Sequence, residues 1–338
     1  MQMSLQQLEQ VVLLDRLRHF GHAAEASGLS QPAFSRSLKR IEAELGARLF
    51  ERSRRGVEPT AAGQAVLEFA RQSLDQANLL RKQVRDLGQS AGNYLSLACA
   101  FYPAALSLPE ALAGLSRKMP RLKFELEVVD WFRALEYVQD GTVELALCEL
   151  SDAENYPTLE CEPVARHAVY FVARKGHPLT LREEPRVQDL LSYPWACSRV
   201  PARIALALGT APVAAGAIDH RSGSFMPAVT SPSISTAIRV VSASDLVTPV
   251  ALSTAADLID NGTLDIIRIS APWMSLYYGF AWRRGAALSA GARAFKSQVH
   301  QIEKRIAERE RALALRFGCD RWDARLKEKG PDTIITND

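Results

Sequence analysis

Long apolar runs are missing from this sequence, although 47% of its 338 residues are apolar. No stretch approaches the length that spans a bilayer, and the opening residues MQMSLQQLEQ carry no basic segment ahead of an apolar core. These absences predict a cytoplasmic protein with no signal peptide and no membrane partner. The length predicts two or more domains, each with an ordinary globular core.

Cysteine is scarce, and no CxxC pair occurs. The five cysteines are scattered along the chain, at Cys99, Cys148, Cys161, Cys197 and Cys319. This spacing argues against both a metal site and a disulfide scaffold. We therefore interpret the cysteines as small apolar residues in or near strands.

Motifs for catalysis are also missing, because the sequence contains no nucleophile–base motif, phosphate-binding loop or metal-ligand cluster. Four histidines are isolated in sequence, which favours surface or structural positions: His167, His177, His220 and His300. We therefore expect no enzymatic activity, no cofactor and no metal.

The strongest positive pattern runs from residue 20 to residue 50, FGHAAEASGLSQPAFSRSLKRIEAELGARLF. Apolar residues of a short helix stand at Ala23, Ala24, Ala26 and Leu29. Those of a second helix recur at spacings of four, three and four, at Phe34, Leu38, Ile41 and Leu45. Such spacing forms the buried stripe of an amphipathic helix. Gly28 permits a sharp turn between the helices, Ser30 can cap the second helix, and Pro32 lies in its first turn.

The face opposite this stripe is polar and basic. It carries Gln31, Ser35, Arg36 and Lys39, whose side chains can donate to base edges or phosphates. Two helices, a tight turn and this outer face describe a helix-turn-helix. A preceding helix is predicted to cover the motif with the apolar residues Leu5, Leu8 and Val12. We predict that Gln31, Ser35 and Arg36 read bases and that Lys39 holds a phosphate.

A basic hairpin is predicted directly after this motif, in ERSRRGVEPT, residues 51–60. Three arginines surround Gly56, which is typical of a wing that clamps phosphates; the alternative is a solvated charged turn. The net charge of +3 says little about partners, whereas this local crowding of arginines favours DNA. The predicted DNA-binding residues are Ser30, Gln31, Pro32, Ser35, Arg36, Lys39, Arg52, Arg54 and Arg55.

A long helix is predicted after Thr60, with spacings that alternate between four and three. Its seam consists of Val66, Ala70, Ser73, Ala77, Leu80, Val84 and Leu87. This is the heptad pattern of a two-stranded helix pair, and it ends in the linker-like segment GQSAGN. The alternative is a lone amphipathic helix on its own domain. A dimer fits the DNA-binding part, because two recognition helices must be held apart to read two half-sites.

From residue 94 onward short apolar strands alternate with helices. We predict strands at 94–100, 122–130 and 143–150 and helices at 103–118 and 131–139. This βαβαβ order implies a parallel sheet with helices on both faces. A second such unit is predicted from 168 to 250. A returning strand at 277–285 and a helix at 290–305 follow it.

These residues resemble the LysR-type transcriptional regulator family. The match includes AAEASGLSQPAFSRSLKRIEAELGARLFERSRRGVEPTAAG, residues 23–63, nearly the whole N-terminal signature of that family, and extends more loosely to about residue 300. The resemblance implies an α+β multidomain chain: a winged helix-turn-helix, a long linker helix that dimerises in antiparallel fashion, and a two-lobed α/β sensory domain like the periplasmic binding proteins. A peroxide-sensing branch uses cysteines, but only Cys197 lies in that region here, so this function is not carried over.

The expected domains follow from these patterns. Residues 1–58 form the winged helix-turn-helix, 59–92 the linker helix and hinge, and 93–302 the effector-binding domain. Within the last, lobe I comprises about 93–166 and 273–302, and lobe II about 167–272. Residues 303–338 form a charged C-terminal extension, for which a disordered tail and a cap on a neighbouring subunit both stay open.

Effectors of such sheets bind beyond the carboxyl ends of strands, near helix starts. The strand ends give the predicted effector site: Ala100, Phe101, Tyr102, Asp130, Trp131, Cys148, Glu149, Ser198, Arg199, Thr230 and Ser231. Arg199 can hold a carboxylate with two hydrogen bonds, and Ser231 can bind one at a helix start. Many family members carry a small hydroxyl residue where this chain has Ala100 and Phe101. The alternative is that the aromatic residues are core packing and Arg199 is a surface residue.

We expect a DNA-binding regulator of LysR type whose promoter binding is modulated by a small effector, a carboxylate or aromatic acid. The expected partners are double-stranded promoter or operator DNA, the effector, a second copy of the chain in a dimer that pairs into a tetramer, and RNA polymerase. The alternatives are a regulator that needs no effector and a solute-binding sensor without promoter control.

Overall fold

The computed structural model describes residues 3–53, 56–88, 94–208, 213–219, 223–269 and 275–319. The chain divides into two compact units, one of residues 1–91 with 140–142 and one of residues 92–139 with 143–338. Within the described ranges, no helix is long and apolar enough to cross a membrane.

The described residues of the N-terminal unit form four helices and one hairpin. In chain order these are α1 (Leu5–Leu17), α2 (Phe20–Ala26), α3 (Gln31–Leu45), β1 (Phe50–Ser53), β2 (Gly56–Pro59) and α4 (Ala61–Gly88). The two strands pair antiparallel. The core of this unit is apolar and includes Val11, Leu14, Phe34, Ile41, Leu49 and Leu67.

The apolar side of α1 differs from the sequence prediction. Leu8, Val11 and Leu14 are buried at spacings of three, whereas Leu5 stays 38% exposed. The prediction that Leu5 and Val12 lie on the covering side is therefore wrong for Leu5, and Val12 is half-buried. The start of α1 is fixed by Ser4, whose hydroxyl accepts from the backbone N–H of Gln7 while the Gln7 side chain accepts from the backbone N–H of Ser4.

The C-terminal unit begins with a strand–helix alternation. Its first elements are β3 (Tyr94–Cys99), α5 (Phe101–Ala105), α6 (Leu108–Lys118), β4 (Lys123–Val128), α7 (Trp131–Gln139), β5 (Leu145–Glu149) and β6 (Leu159–Ala168). Next come β7 (Tyr170–Arg174), α8 (Val187–Leu191), β8 (Ala196–Cys197), α9 (Ala202–Leu208), β9 (Gly216–Ile218), β10 (Phe225–Pro227), β11 (Val229–Thr230), α10 (Ile234–Ser242), β12 (Thr248–Val250), α11 (Leu252–Asp260) and β13 (Leu264–Ile266). The last two are β14 (Ser275–Arg283) and α12 (Ala290–Arg316).

Two lobes are built from these elements. Lobe I is the five-stranded sheet β4-β3-β5-β14-β6 with its helices, and lobe II comprises β7 to β13 around the three-stranded sheet β12-β7-β13. In lobe I β3 lies parallel to β4 and β5, while β14 runs antiparallel to β5 and β6. The predicted parallel sheet is therefore a mixed sheet. Apolar side chains of both lobes join in one continuous buried cluster, with Leu97, Leu147 and Phe280 on one side and Phe171 and Trp195 on the other.

Strand β6 was missed by the sequence reading. Its residues alternate only weakly, with Pro163 in the middle, and the strand lies at the edge of the sheet with most of its length half-exposed. An edge strand needs no continuous apolar run and tolerates proline, so it leaves little signal. Helices α9 and α11 were missed as well.

Two predicted helices have different bounds in the structure. The predicted helix 103–118 is two helices, α5 and α6, because the chain bends at Leu106 and Ser107. The predicted helix 290–305 continues to Arg316. The expected boundary at residue 303 therefore falls inside α12, and the extension begins as a continuation of that helix.

Candidate DNA-binding and effector-binding sites

The helix-turn-helix is formed by α2 and α3. Gly28 has a φ of +68° in the turn between them, a conformation that glycine adopts without strain. The Ser30 hydroxyl accepts from the backbone N–H of Ala33 at 3.4 Å and caps α3. Phe34, Leu38 and Ile41 are buried, so the predicted stripe is the buried side of the recognition helix.

The opposite face of α3 is available for DNA. Gln31, Arg36 and Lys39 are exposed, as are Ser30 and Pro32, whereas Ser35 is half-buried. Within the part of the chain that the structure describes, neither Arg36 nor Lys39 has an ion-pair partner. Arg36 and Lys39 lie three residues apart in the middle of α3, so they form an exposed basic surface that attracts phosphates.

The hairpin after α3 forms as predicted, with Arg52 opposite Val57 in its register. Of its three arginines, Arg54 and Arg55 lie outside the described residues, and only the backbone of Arg52 is described. Arg18, which the sequence reading did not single out, ties the hairpin to the end of α1. Its backbone carbonyl accepts from the N–H of Val57 at 3.2 Å, and its guanidinium donates to the carbonyl of Val57 at 3.3 Å.

Helix α4 carries part of the predicted dimer seam on its free surface. Leu80 is 61% exposed, and Phe69, which the seam did not include, is 47% exposed. Val66, Ser73 and Ala77 are half-buried, and the side chains of Val84 and Leu87 lie outside the described residues. The prediction that Ala70 belongs to the dimer seam is wrong. Ala70 is fully buried beside Leu67 within its own unit, where α1 packs on α4, so it cannot face a partner.

A small cavity of about 60 Å³ lies between lobe I and lobe II. Seven of the predicted effector residues line it: Ala100, Phe101, Tyr102, Trp131, Glu149, Ser198 and Arg199. The other lining residues are mostly apolar, among them Val169, Val200, Ile204, Pro249, Leu276 and Tyr278. A dry apolar cavity of roughly 150 Å³ holds benzene, so this one takes only a smaller group unless the lobes move apart.

Four predicted effector residues do not line the cavity. Cys148 is fully buried on the opposite face of β5, in the core beneath α7, because neighbouring strand residues point to opposite faces. The Ser231 hydroxyl is hydrogen-bonded within a local turn, where it donates to the carbonyl of Ser233 and accepts from the N–H of the same residue. Thr230 is exposed, and Asp130 lies beside the site half-buried. Burial raises the pKa of Asp130, and the nearby charge of Arg199 lowers it in part.

Arg199 reaches the cavity, but its guanidinium already has partners. Nη1 lies 3.4 Å from Oδ2 of Asp219 and 3.4 Å from Oγ of Ser224. The guanidinium carbon stands 5.2 Å from the ring centroid of Phe132, within the range of a cation–π contact. A carboxylate bound by Arg199 must therefore compete with Asp219.

Arg203 on α9 is a second cation at this site, and the sequence reading missed it. Its Nη2 donates to Oε2 of Glu149 at 3.1 Å and to the backbone carbonyl of Ser275 at 2.6 Å, while its Nε donates to Oγ of Ser151 at 2.6 Å. Glu149 and Ser275 line the cavity. Since Arg203 belongs to lobe II and Glu149 to lobe I, this pair joins the lobes. Tyr102 makes a second link, donating to the carbonyl of Pro249 at 2.8 Å.

A larger open cleft of about 840 Å³ shares Phe101 with the cavity. It runs along α10 and α11, and among the described residues that line it Arg239 alone is charged. Phe101 therefore borders both the small cavity and the open cleft.

Comparison with known proteins identifies the chain. Residues 5–64 match the family described as "Bacterial regulatory helix-turn-helix protein, lysR family", and residues 88–303 match the "LysR substrate binding domain". The chain belongs to the LysR family of transcriptional regulators. Members of this family bind DNA and small-molecule effectors and form oligomers. The predicted family and fold class are confirmed.

Several LysR relatives cover most of the chain. The "SDS degradation transcriptional activation protein" of a Pseudomonas strain is 32% identical over 299 residues, which are 87% of this chain and 95% of the relative. The regulator GbpR of Azospirillum brasilense is 27% identical over 292 residues, 86% of this chain and 84% of the relative. The crystal structure of CbnR, a LysR family transcriptional regulator, shares the fold with a TM-score of 0.52 at 21% identity, covering 89% of this chain and 99% of CbnR.

Proposed function

We propose that a small anionic effector enters the cavity between the lobes and competes with Glu149 for Arg203. The observation that carries this proposal is the Arg203–Glu149 pair, a hydrogen-bonded ion pair that joins the lobes beside an apolar cavity. Arginine binds carboxylates and other oxyanions with two parallel hydrogen bonds, so an effector anion can replace the Glu149 carboxylate. Replacement frees Glu149 and changes how lobe II is fastened to lobe I.

Such an effector regulates only if it binds one lobe arrangement more tightly than another. Effector binding and DNA binding are then coupled by about 1–3 kcal/mol, and each changes the affinity for the other by the same factor. We propose that the effector is a carboxylate or aromatic acid. Because the name of the Pseudomonas relative concerns degradation of an alkyl sulfate, alkyl sulfates belong in the same test.

On DNA we propose that Gln31, Ser35 and Arg36 contact bases, since they lie on the outer face of α3. Lys39 and the three arginines of the hairpin hold phosphates. We further propose that two copies dimerise through the exposed apolar side chains of α4, Phe69 and Leu80, and act in the cytoplasm as regulators rather than enzymes.

Calorimetry of the full chain against aromatic carboxylates, aliphatic carboxylates and alkyl sulfates tests the effector proposal. The parent is compared with Arg203→Ala, with Arg199→Ala and with Arg182→Ala. Arg182 is the matched control because it is also an arginine of lobe II, but it pairs with Asp189 and does not line the cavity.

For the anion of the panel that binds the parent, we expect Arg203→Ala to lower the affinity at least tenfold, because a charge-assisted hydrogen bond contributes about 1.5–3 kcal/mol. Arg182→Ala should leave this affinity unchanged. If only Arg199→Ala weakens effector binding, the anion binds Arg199 instead of Arg203. If no anion of the panel binds, or if Arg203→Ala and Arg199→Ala both bind it like the parent, the anion proposal fails. An effector that binds but leaves promoter affinity unchanged removes its regulatory role.

A further inference from the structure

Helix α12 belongs to both lobes. It is 27 residues long and continues 13 residues past residue 303, where the match to the LysR substrate binding domain ends. In its first half Phe295, Val299 and Ile302 are fully buried in the core that includes the helix α6 and the sheet of lobe I. The Nζ of Lys296 lies 2.9 Å from Oε2 of Glu162 on β6. This half is fixed to lobe I.

The second half of α12 packs on lobe II. Leu313 and Ala314 are buried in the cluster formed by α10, α11 and the sheet of that lobe, together with Cys319 just after the helix. Arg316 pairs with Asp260 at the end of α11, with 2.8 Å between Nη2 and Oδ1. One continuous helix therefore contributes to the cores of both lobes.

Glu310 makes the most specific contact of this second half. The residue before helix α11 is Ala251, whose side chain cannot cap the helix. Instead, the Glu310 carboxylate accepts from the backbone N–H groups of Leu252 at 2.9 Å and Ser253 at 2.8 Å. Glu310 is only 7% exposed. A buried carboxylate that caps a helix from another element binds that helix in one position, because hydrogen bonds to a charged acceptor are directional and the charge favours the helix N-terminus.

From these contacts we propose that α12 is a strap that holds the two lobes in the arrangement with the small cavity, and that detachment of its second half from lobe II lets the lobes move apart. A helix rises about 1.5 Å per residue and bends little, so lobe II cannot move away from lobe I while both halves stay bound. The strap acts in addition to the Arg203–Glu149 pair. It does not depend on the chemistry of the effector, and it can be tested without an effector.

The test measures the distance between the lobes in the full chain by double electron–electron resonance. Cys161, the one cysteine among the five that is exposed, is replaced by Ser. Spin labels are attached through Lys123→Cys on the exposed strand β4 of lobe I and Leu181→Cys in lobe II, where Leu181 is 76% exposed.

In this background we compare Glu310→Gln, Leu313→Ala and the matched control Glu308→Gln, an exposed carboxylate on the same helix. A chain that ends after residue 307 loses the whole lobe II half, and a chain that ends after residue 319 keeps it. We expect the parent, Glu308→Gln and the chain ending at 319 to give one narrow distance distribution. Glu310→Gln, Leu313→Ala and the chain ending at 307 are expected to add a longer-distance population.

Hydrogen exchange of the same variants separates a strap from a local cap. Glu310→Gln should speed the exchange of the Leu252 and Ser253 amides at least tenfold, because it removes the charged acceptor that both amides share. Faster exchange without a longer distance means that Glu310 only caps α11, and this overturns the proposal. Unchanged distances in both point variants overturn it as well, even if the chain ending at 307 does not fold.

Discussion

The buried group around Glu303 gives the sharpest stability prediction. Oε2 of Glu303 lies 2.8 Å from Nε2 of His167, and its Oε1 accepts from the Tyr278 hydroxyl at 2.7 Å. All three residues are at most 3% exposed, and they connect α12 with β6 and β14. Replacing Glu303 by Ala removes the shared acceptor and leaves two buried polar groups without it.

The expected loss follows from this geometry. Each buried polar group left unsatisfied costs about 1–3 kcal/mol, so the loss of two such contacts centres on about 4 kcal/mol. We therefore expect Glu303→Ala to lower the free energy of unfolding by about 3–5 kcal/mol. The control Glu308→Ala removes an exposed carboxylate of the same helix and should change it by less than about 0.5 kcal/mol.

Urea unfolding followed by tryptophan fluorescence reports this unit alone, because all five tryptophans follow residue 130. The pH dependence adds an independent check. Burial raises the pKa of Glu303, but the hydrogen bond from His167 and the hydroxyls of Ser107 and Tyr278 lower it more, so the net pKa lies below the ordinary value of 4.5. Such a carboxyl stabilises the fold above its unfolded pKa, and this contribution is lost as the pH falls through the folded pKa.

The difference between the parent and Glu303→Ala should therefore be largest near neutral pH and shrink below about pH 4.5. A loss under about 1 kcal/mol at pH 7 would refute the reasoning, since the environment of Glu303 would then be solvated or rearranged. So would a difference that grows on acidification.

Three further predictions concern the N-terminal unit. Phe34→Ala should lower the free energy of unfolding of this unit by about 3–5 kcal/mol, because Phe34 is fully buried. Thermal unfolding followed by circular dichroism measures the loss, and a loss under about 1 kcal/mol would contradict the burial of Phe34. In operator binding, Arg36→Ala should cost about 1–3 kcal/mol and relax the sequence specificity at one base pair. Lys39→Ala should lower the affinity for all DNA sequences alike and flatten its salt dependence. Equal effects of the two variants on every sequence would contradict the division between base and phosphate contacts. Leu80→Glu with Phe69→Glu should shift sedimentation toward monomers, because charges would be buried in the interface, and unchanged assembly would exclude this side of α4.

The effector site shows how far sequence reasoning reached. Strand ends predicted that Phe101, Trp131 and Glu149 lie together, and all three line the cavity between the lobes, because each stands at the end of a short apolar run that is visible in the sequence. The alternation of side chains along strand β5 could also be predicted from the sequence. Glu149 and its neighbour Cys148 must point to opposite faces of the sheet, yet both were predicted for the site. Arg203 was not predicted because it lies in the first turn of a short helix that has no periodic signal of its own.

The amino-acid sequence by itself determined the helix-turn-helix, the hairpin and the alternation of strands and helices. Each of these depends on neighbours a few residues apart: the stripe from Phe34 to Ile41, the cap at Ser30 and the turn at Gly28. Local periodicity and capping are written in consecutive residues, and the LysR signature lies in the same segment.

Only the tertiary structure decided the long-range contacts, within lobe I and between the lobes. Arg203 meets Glu149 across 54 residues, Glu310 caps the N–H of Leu252 across 58, and His167 meets Glu303 across 136. Tertiary folding also turned Ala70 inward onto α1. Such contacts leave no pattern in nearby residues, because the partner of a buried charge is set by which elements the chain brings together in space.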